Sequence, residues 1–201
     1  MRQAKKFLQS LLLAISLATT GNSSATTIDF ETDGVEWWGY ITEPLNGYVF
    51  NATMATVDLS SEGFWGSGPA HSGKFGAIDN YNVPVTVRLA DGGKFDFDGL
   101  WFRSWYWQNQ GMYKAIGYSD GIEVGSITME KTTVWSYLPA NFRNIDSLLL
   151  LSTDLYGSPN ATVIDDFIAT AVPEPATISL FGLGLLGFAA AHRKSGKSGK
   201  A

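Results

Sequence analysis

From Ala176 to Ala191 the chain runs for sixteen residues without a charge, and what flanks that run decides what it can be. Ile178, Leu180, Phe181, Leu183, Leu185, Leu186 and Phe188 leave no polar face, so a helix here belongs in lipid or deep in a core. It would be about 24 Å long against a hydrocarbon layer of about 30 Å, a marginal span by length alone. Pro173 and Pro175 close its N-terminal side, because proline cannot continue a helix. Arg193, Lys194, Lys197 and Lys200 follow it with no acid among them. Such a basic tail holds that end in the cytoplasm, and its long side chains reach toward the headgroups. The expectation is a transmembrane helix over 176–191. Gly182, Gly184 and Gly187 match G-x-G-x-x-G but follow no strand and open no βαβ unit, so the spacing is an accident of a Gly/Leu-rich span.

The other end reads as a second targeting segment. Arg2, Lys5 and Lys6 precede an apolar run from Phe7 to Ala18, and a polar stretch then ends in Ser23-Ser24-Ala25. A basic start, a short apolar run and small residues at the cleavage position describe a secretory signal peptide over 1–25. Cleavage after Ala18 is the alternative. Between the two ends lies 26–172, long enough for one domain with its own core. The whole chain has 14 Lys+Arg and 19 Asp+Glu. Three of the bases lie in 1–25, and four bases and one acid lie in 173–201, which leaves the domain seven bases against 18 acids. That balance argues against nucleic acid or an anionic membrane surface as partner. There is no cysteine, so burial has to supply the stability without disulfides.

Val172-Pro173-Glu174-Pro175, the apolar run and His192-Arg193-Lys194, in that order, resemble the PEP-CTERM sorting signal of exported bacterial proteins. The resemblance covers 173–201, with Pro173, Glu174 and Pro175 as its motif. It implies that exosortase and the secretion machinery are partners. It also implies an inner-membrane intermediate with a cytoplasmic tail, and then a place at the cell surface or in the extracellular matrix.

Within 26–172, short β-branched and aromatic runs are broken by Gly, Asn, Asp and Pro, the pattern of an all-β sandwich. Strands are expected at 27–30, 48–59 (with a break), 74–78, 83–89, 100–105, 112–118, 122–130, 147–151 and 162–169. Asp91-Gly92-Gly93 is a turn signal, and Leu148 to Leu151 reads as a strand covered on both sides. Three short stretches resemble the jelly-roll, galactose-binding-like domains of many PEP-CTERM proteins and the calcium-containing carbohydrate-binding modules. They are Ile28-Asp29-Phe30-Glu31 with Gly34 and Trp38, Ala70-His71-Ser72-Gly73-Lys74-Phe75-Gly76, and Ile164-Asp165-Asp166-Phe167. The likeness implies a jelly-roll β-sandwich. It also implies a structural Ca2+ held by Glu31, Asp166 and carbonyls around Ser72 to Lys74, a hard-oxygen set of the kind Ca2+ prefers. The plainer alternative is that these carboxylates are solvated charges at strand edges.

The middle of the domain departs from that family pattern: Trp101-Phe102-Arg103-Ser104-Trp105-Tyr106-Trp107 is far more aromatic. On a strand, Trp101, Arg103, Trp105 and Trp107 share one face, and Leu100 with Phe102 makes the better core set on the other. Three indoles and a guanidinium would then form a platform for sugar rings, unless the tryptophans are simply core. Catalysis has little support. His71 is the one histidine in 26–172, which excludes a histidine cluster for zinc, and it reads as a loop residue. Asp79, Asp96 and Asp98 have no diagnostic spacing for a glycosidase pair. The expected function is a non-catalytic, exported protein that binds or associates with exopolysaccharide. A matrix protein without specific ligand is the first alternative and a glycan-active enzyme the second.

Overall fold

Period-two alternation builds both layers of the fold, and the residues that break it locate the candidate sites. The computed structural model describes residues 24–32, 38–51, 54–60, 68–79, 83–106, 110–154, 161–173 and 184. Residues 1–23 of the expected signal peptide, Trp107, Glu174, Pro175 and, Gly184 apart, the expected membrane helix lie outside them. Among the described residues no helix is long and apolar enough to cross a membrane.

In chain order the strands are β1 (Thr26–Ile28), β2 (Trp38–Tyr40), β3 (Tyr48–Phe50), β4 (Met54–Asp58), β5 (Phe75–Asp79) and β6 (Val85–Leu89). They continue as β7 (Phe95–Ser104), β8 (Gly111–Ser119), β9 (Ile122–Lys131), β10 (Ser136–Ile145), β11 (Ser147–Asp154) and β12 (Thr162–Ala171). One sheet runs β10-β7-β12-β5-β4-β2, with β1 also on β12; the other runs β3-β6-β11-β8-β9. Every pairing is antiparallel. This is the expected all-β jelly-roll sandwich.

The core between the sheets takes Phe95, Phe97, Leu100 and Phe102 from β7 and Val85, Val87, Leu148 and Leu150 from the facing sheet. Phe97 stacks on Phe167 at 4.9 Å, and Phe102 on Tyr113 at 5.0 Å. A polar tie crosses one end. Lys131, on β9, donates to Ser152 Oγ, to Thr162 Oγ1 at 3.0 Å and to Ala161 O at 3.1 Å, while Asp79 accepts the Thr162 N–H. Burial pushes Lys131 down to about 8 and holds Asp79 well above the usual carboxylate range.

The differences from the sequence reading have local causes. The 48–59 run breaks into β3 and β4, which go to different sheets. β7 begins at Phe95, five residues early, because Phe95 and Phe97 alternate inward with Asp96 and Asp98 outward. β10 was not anticipated because it carries Pro139 and two asparagines at positive φ, Asn141 and Asn144. It lies at a sheet edge with two register shifts, where proline's missing N–H removes no ladder bond. The Leu148–Leu151 run is a correction. Leu148 and Leu150 are buried, but Leu149 and Leu151 point to the outer side and stay partly exposed, so the strand is fully covered on one side only.

β12 changes neighbour along its length. Val163 and Ile164 pair with β5, whereas Phe167 to Ala169 pair with β1. At the handover Asp166 has φ +44, and between the pairs Asp165–Trp101 and Ile168–Gly99 two residues of β12, Asp166 and Phe167, oppose one of β7, Leu100, a bulge with one extra residue. Backbone N–H groups freed at such a gap need other acceptors.

Candidate functional site

Carboxylates supply those acceptors. Glu31 Oε1 accepts the N–H groups of Lys74 (2.7 Å) and Phe75 (2.8 Å). Asp165 Oδ2 accepts those of His71 (3.0 Å) and Ser72 (2.9 Å), and its Oδ1 accepts that of Asp166 (2.8 Å). Asp166 bonds His71 Nδ1 at 2.6 Å and the Ser72 hydroxyl at 2.8 Å. Together they strap residues 71–75 across the outer side of the seven-stranded sheet. Gly73 suits this strap for two reasons: its φ is +56, and a Cβ there would lie 2.3 Å from Glu31 Oε1. Burial raises Asp165 to about 7, against the pull of the N–H groups it accepts.

The structure thus brings Glu31 and Asp166 to the same turn, as the resemblance implied. The donor chemistry there is N–H and O–H, and it occupies both Asp165 oxygens, both Asp166 oxygens and Glu31 Oε1. A Ca2+ held by Glu31 and Asp166 would share these oxygens with the N–H and O–H donors, and among the described residues no cluster of three or more His, Asp or Glu is placed to hold a metal on side chains alone.

The aromatic platform is corrected by burial. Strand alternation does put Trp101, Arg103 and Trp105 on the side away from Leu100 and Phe102, but that side is covered. Arg103 is 3% exposed and Trp105 8% exposed. Arg103 donates to Gly68 O at 3.0 Å and lies 5.0 Å from the centre of the Trp135 ring, whose N–H donates to Pro69 O. Trp105 joins Ala55, Val57, Leu59, Ile78 and Val163 in a second, smaller core. His71 stacks on Trp101 at 3.9 Å and 17°. His71 of the strap thus lies over Trp101, while Gly68 and Trp135 cover Arg103 and the second core buries Trp105, and burial lowers Arg103 to about 10. His71 is part of this closure rather than a bystander in a loop.

An open groove lies on the other side of the molecule, and the sequence reading did not assign it. On the outer side of the five-stranded sheet a concavity of about 600 Å3 is lined by Thr86, Arg88, Tyr118, Asp146, Ser147 and Leu149. Two turn glycines, Gly92 (φ +77) and Gly121 (φ +78), border it. The strand ladder sets the geometry. Ser147 is opposite Tyr118, Leu149 is opposite both Thr86 and Ile116, and Arg88 Nε reaches Ser147 Oγ at 3.4 Å. Asp146 accepts the Asp120 N–H at the turn end of the groove. The groove combines an aromatic ring, an aliphatic floor, hydroxyls and a guanidinium, which can stack on a ring face and bond hydroxyl groups. Alternation in Val85–Leu89 already places Thr86 and Arg88 outward. Nothing in the order of residues shows that Tyr118 and Ser147 are their neighbours.

Residues 171–194 match the PEP-CTERM protein-sorting motif, the signal of an exported protein handled by an exosortase at the membrane. Pro173, which is exposed, lies within the matched segment together with Glu174 and Pro175. No curated protein matches the chain. Among solved structures it is similar to the carbohydrate-binding module TmCBM61 in complex with beta-1,4-galactotriose. That likeness has 17% identity over 72% of this chain and 94% of that one, with TM-score 0.39. It is also similar to a family 29 carbohydrate-binding module from Piromyces equi (9% identity, 76% and 92% covered, TM-score 0.40). A Stig cyclase from Fischerella sp. TAU shows a comparable likeness (12% identity, 76% and 100% covered, TM-score 0.45).

Proposed function

We propose that this is an exported, exosortase-sorted surface or matrix protein whose β-sandwich binds carbohydrate without acting on it chemically. Exopolysaccharide is the ligand class. The observation that carries this reading is the open groove beside Arg88, Tyr118 and Ser147, since the aromatic face expected to do this work is buried at Arg103 and Trp105 and covered by His71 at Trp101. A ring to stack on and several hydrogen-bonding groups around an apolar floor suit a sugar better than an apolar ligand. One carboxylate, Asp146, lines the groove among the described residues. Glycoside hydrolysis by the two-carboxylate route needs a pair about 5 to 10 Å apart. The matrix reading without specific ligand is favoured by the burial of Arg103 and Trp105.

The test is retention of the full-length chain in native gels cast with soluble polysaccharides, beside Tyr118→Ala. Slowed migration that the substitution abolishes, with unchanged melting, supports the groove. Migration unaffected by any polysaccharide favours the matrix reading.

A further inference from the structure

The distribution of positive charge deepens that reading. The domain has seven bases: Lys74, Arg88, Lys94, Arg103, Lys114, Lys131 and Arg143. Lys94 pairs with Asp120 at 2.7 Å, and Arg143 with Asp98 at 2.6 Å. Arg103 and Lys131 are buried. Lys74 lies on the strap. The two that remain, Arg88 and Lys114, both project from the outer side of the five-stranded sheet, and neither has an ion-pair partner among the described residues. Arg88 is exposed in the groove, and Lys114, opposite Leu151 and Thr128, lies four residues back along β8 from Tyr118. Four residues of strand put the two rows about 13 Å apart, so one chain of a few sugar units can meet both.

In a domain with 18 acids, two cations without carboxylate partners on the face that carries the groove are informative. Among the described residues, the acids nearest this face are Asp146, which lines the turn end of the groove and accepts the Asp120 N–H, and Glu123, opposite Tyr118, and Glu130 on the edge strand β9. With screening over about 8 Å at physiological salt, the cations in contact govern binding rather than the net charge of the domain. A guanidinium presents a planar fork of donors that matches a carboxylate, whereas an ammonium acts as a point charge.

We propose that the groove selects an anionic, carboxylate-bearing polysaccharide, with Arg88 as the specificity-determining contact and Lys114 as a second, weaker one. This rests on the carbohydrate reading above. The probes are polygalacturonate, the same polymer methyl-esterified, and a neutral galactan, each titrated against the full-length chain at physiological salt. Expected results are at least about tenfold weaker binding on esterification and about tenfold weaker binding to polygalacturonate in Arg88→Gln. Arg88→Lys should fall between, Lys114→Gln should lose less, and Lys74→Gln, on the strap, should lose nothing. All these side chains are at least partly exposed, so melting temperatures should match the parent and exclude misfolding. Equal binding of the acidic and esterified polymers, or full binding by Arg88→Gln, overturns the charge selection and leaves the carbohydrate reading standing. Binding to none of the three overturns both.

Discussion

Replacing Asp165 with alanine isolates what the carboxylate at the strand handover does. Its side chain is wholly buried and accepts three backbone N–H groups, from His71, Ser72 and Asp166. A donor left without a partner costs about 1–3 kcal/mol when buried. The His71 and Ser72 bonds are only part-buried, so water can reach those groups and the lower end applies. About 3 kcal/mol in total is the expected loss. For a domain of this size 1 kcal/mol shifts the melting temperature by about 2–4 °C, so the variant should melt about 6–12 °C lower. Differential scanning calorimetry of the full chain measures this. Tryptophan fluorescence supplies a second readout, because a released strap takes His71 off the Trp101 ring. A shift below about 2 °C, with emission unchanged, would show that water replaces all three acceptor bonds.

Two further outcomes follow from the same turn. Asp165 is held at about 7, whereas the unfolded chain loses that proton near 3.8. Its contribution to stability is therefore full below about pH 4 and is lost as pH rises through about 7, and Asp79, also raised by burial, has the same sign. The urea midpoint should fall across that window and the slope should flatten in Asp165→Asn; a midpoint that climbs with pH refutes the assignment. Calcium in excess should leave the melting temperature unchanged, since N–H and O–H donors already face the carboxylates. A concentration-dependent rise reversed by EDTA would show that the ion displaces His71 and Ser72.

Composition and local pattern by themselves determined the C-terminal sorting motif and the all-β class of this chain. The prolines, the apolar run and the bases after it carry the match to the sorting motif whatever precedes them, because a short contiguous pattern needs no tertiary contact to be read. Alternation within 83–89 and the β-branched run at 162–169 likewise specified strands, and inward Leu100 with Phe102 followed from period two. Tertiary structure decided what covers each face. Trp105 and Arg103 were correctly placed on the outer side, yet that side is covered by residues some 30 to 35 positions away, Gly68 and Trp135, next to a strap held by Glu31 just after the first strand and Asp165 from the last. The groove around Arg88 comes from segments 30 to 60 residues apart in the chain, on β6, β8 and β11. Side-chain direction is a local property that a few residues encode. Exposure belongs to the packed whole, because it depends on which distant segment finds its hydrogen-bond partners there.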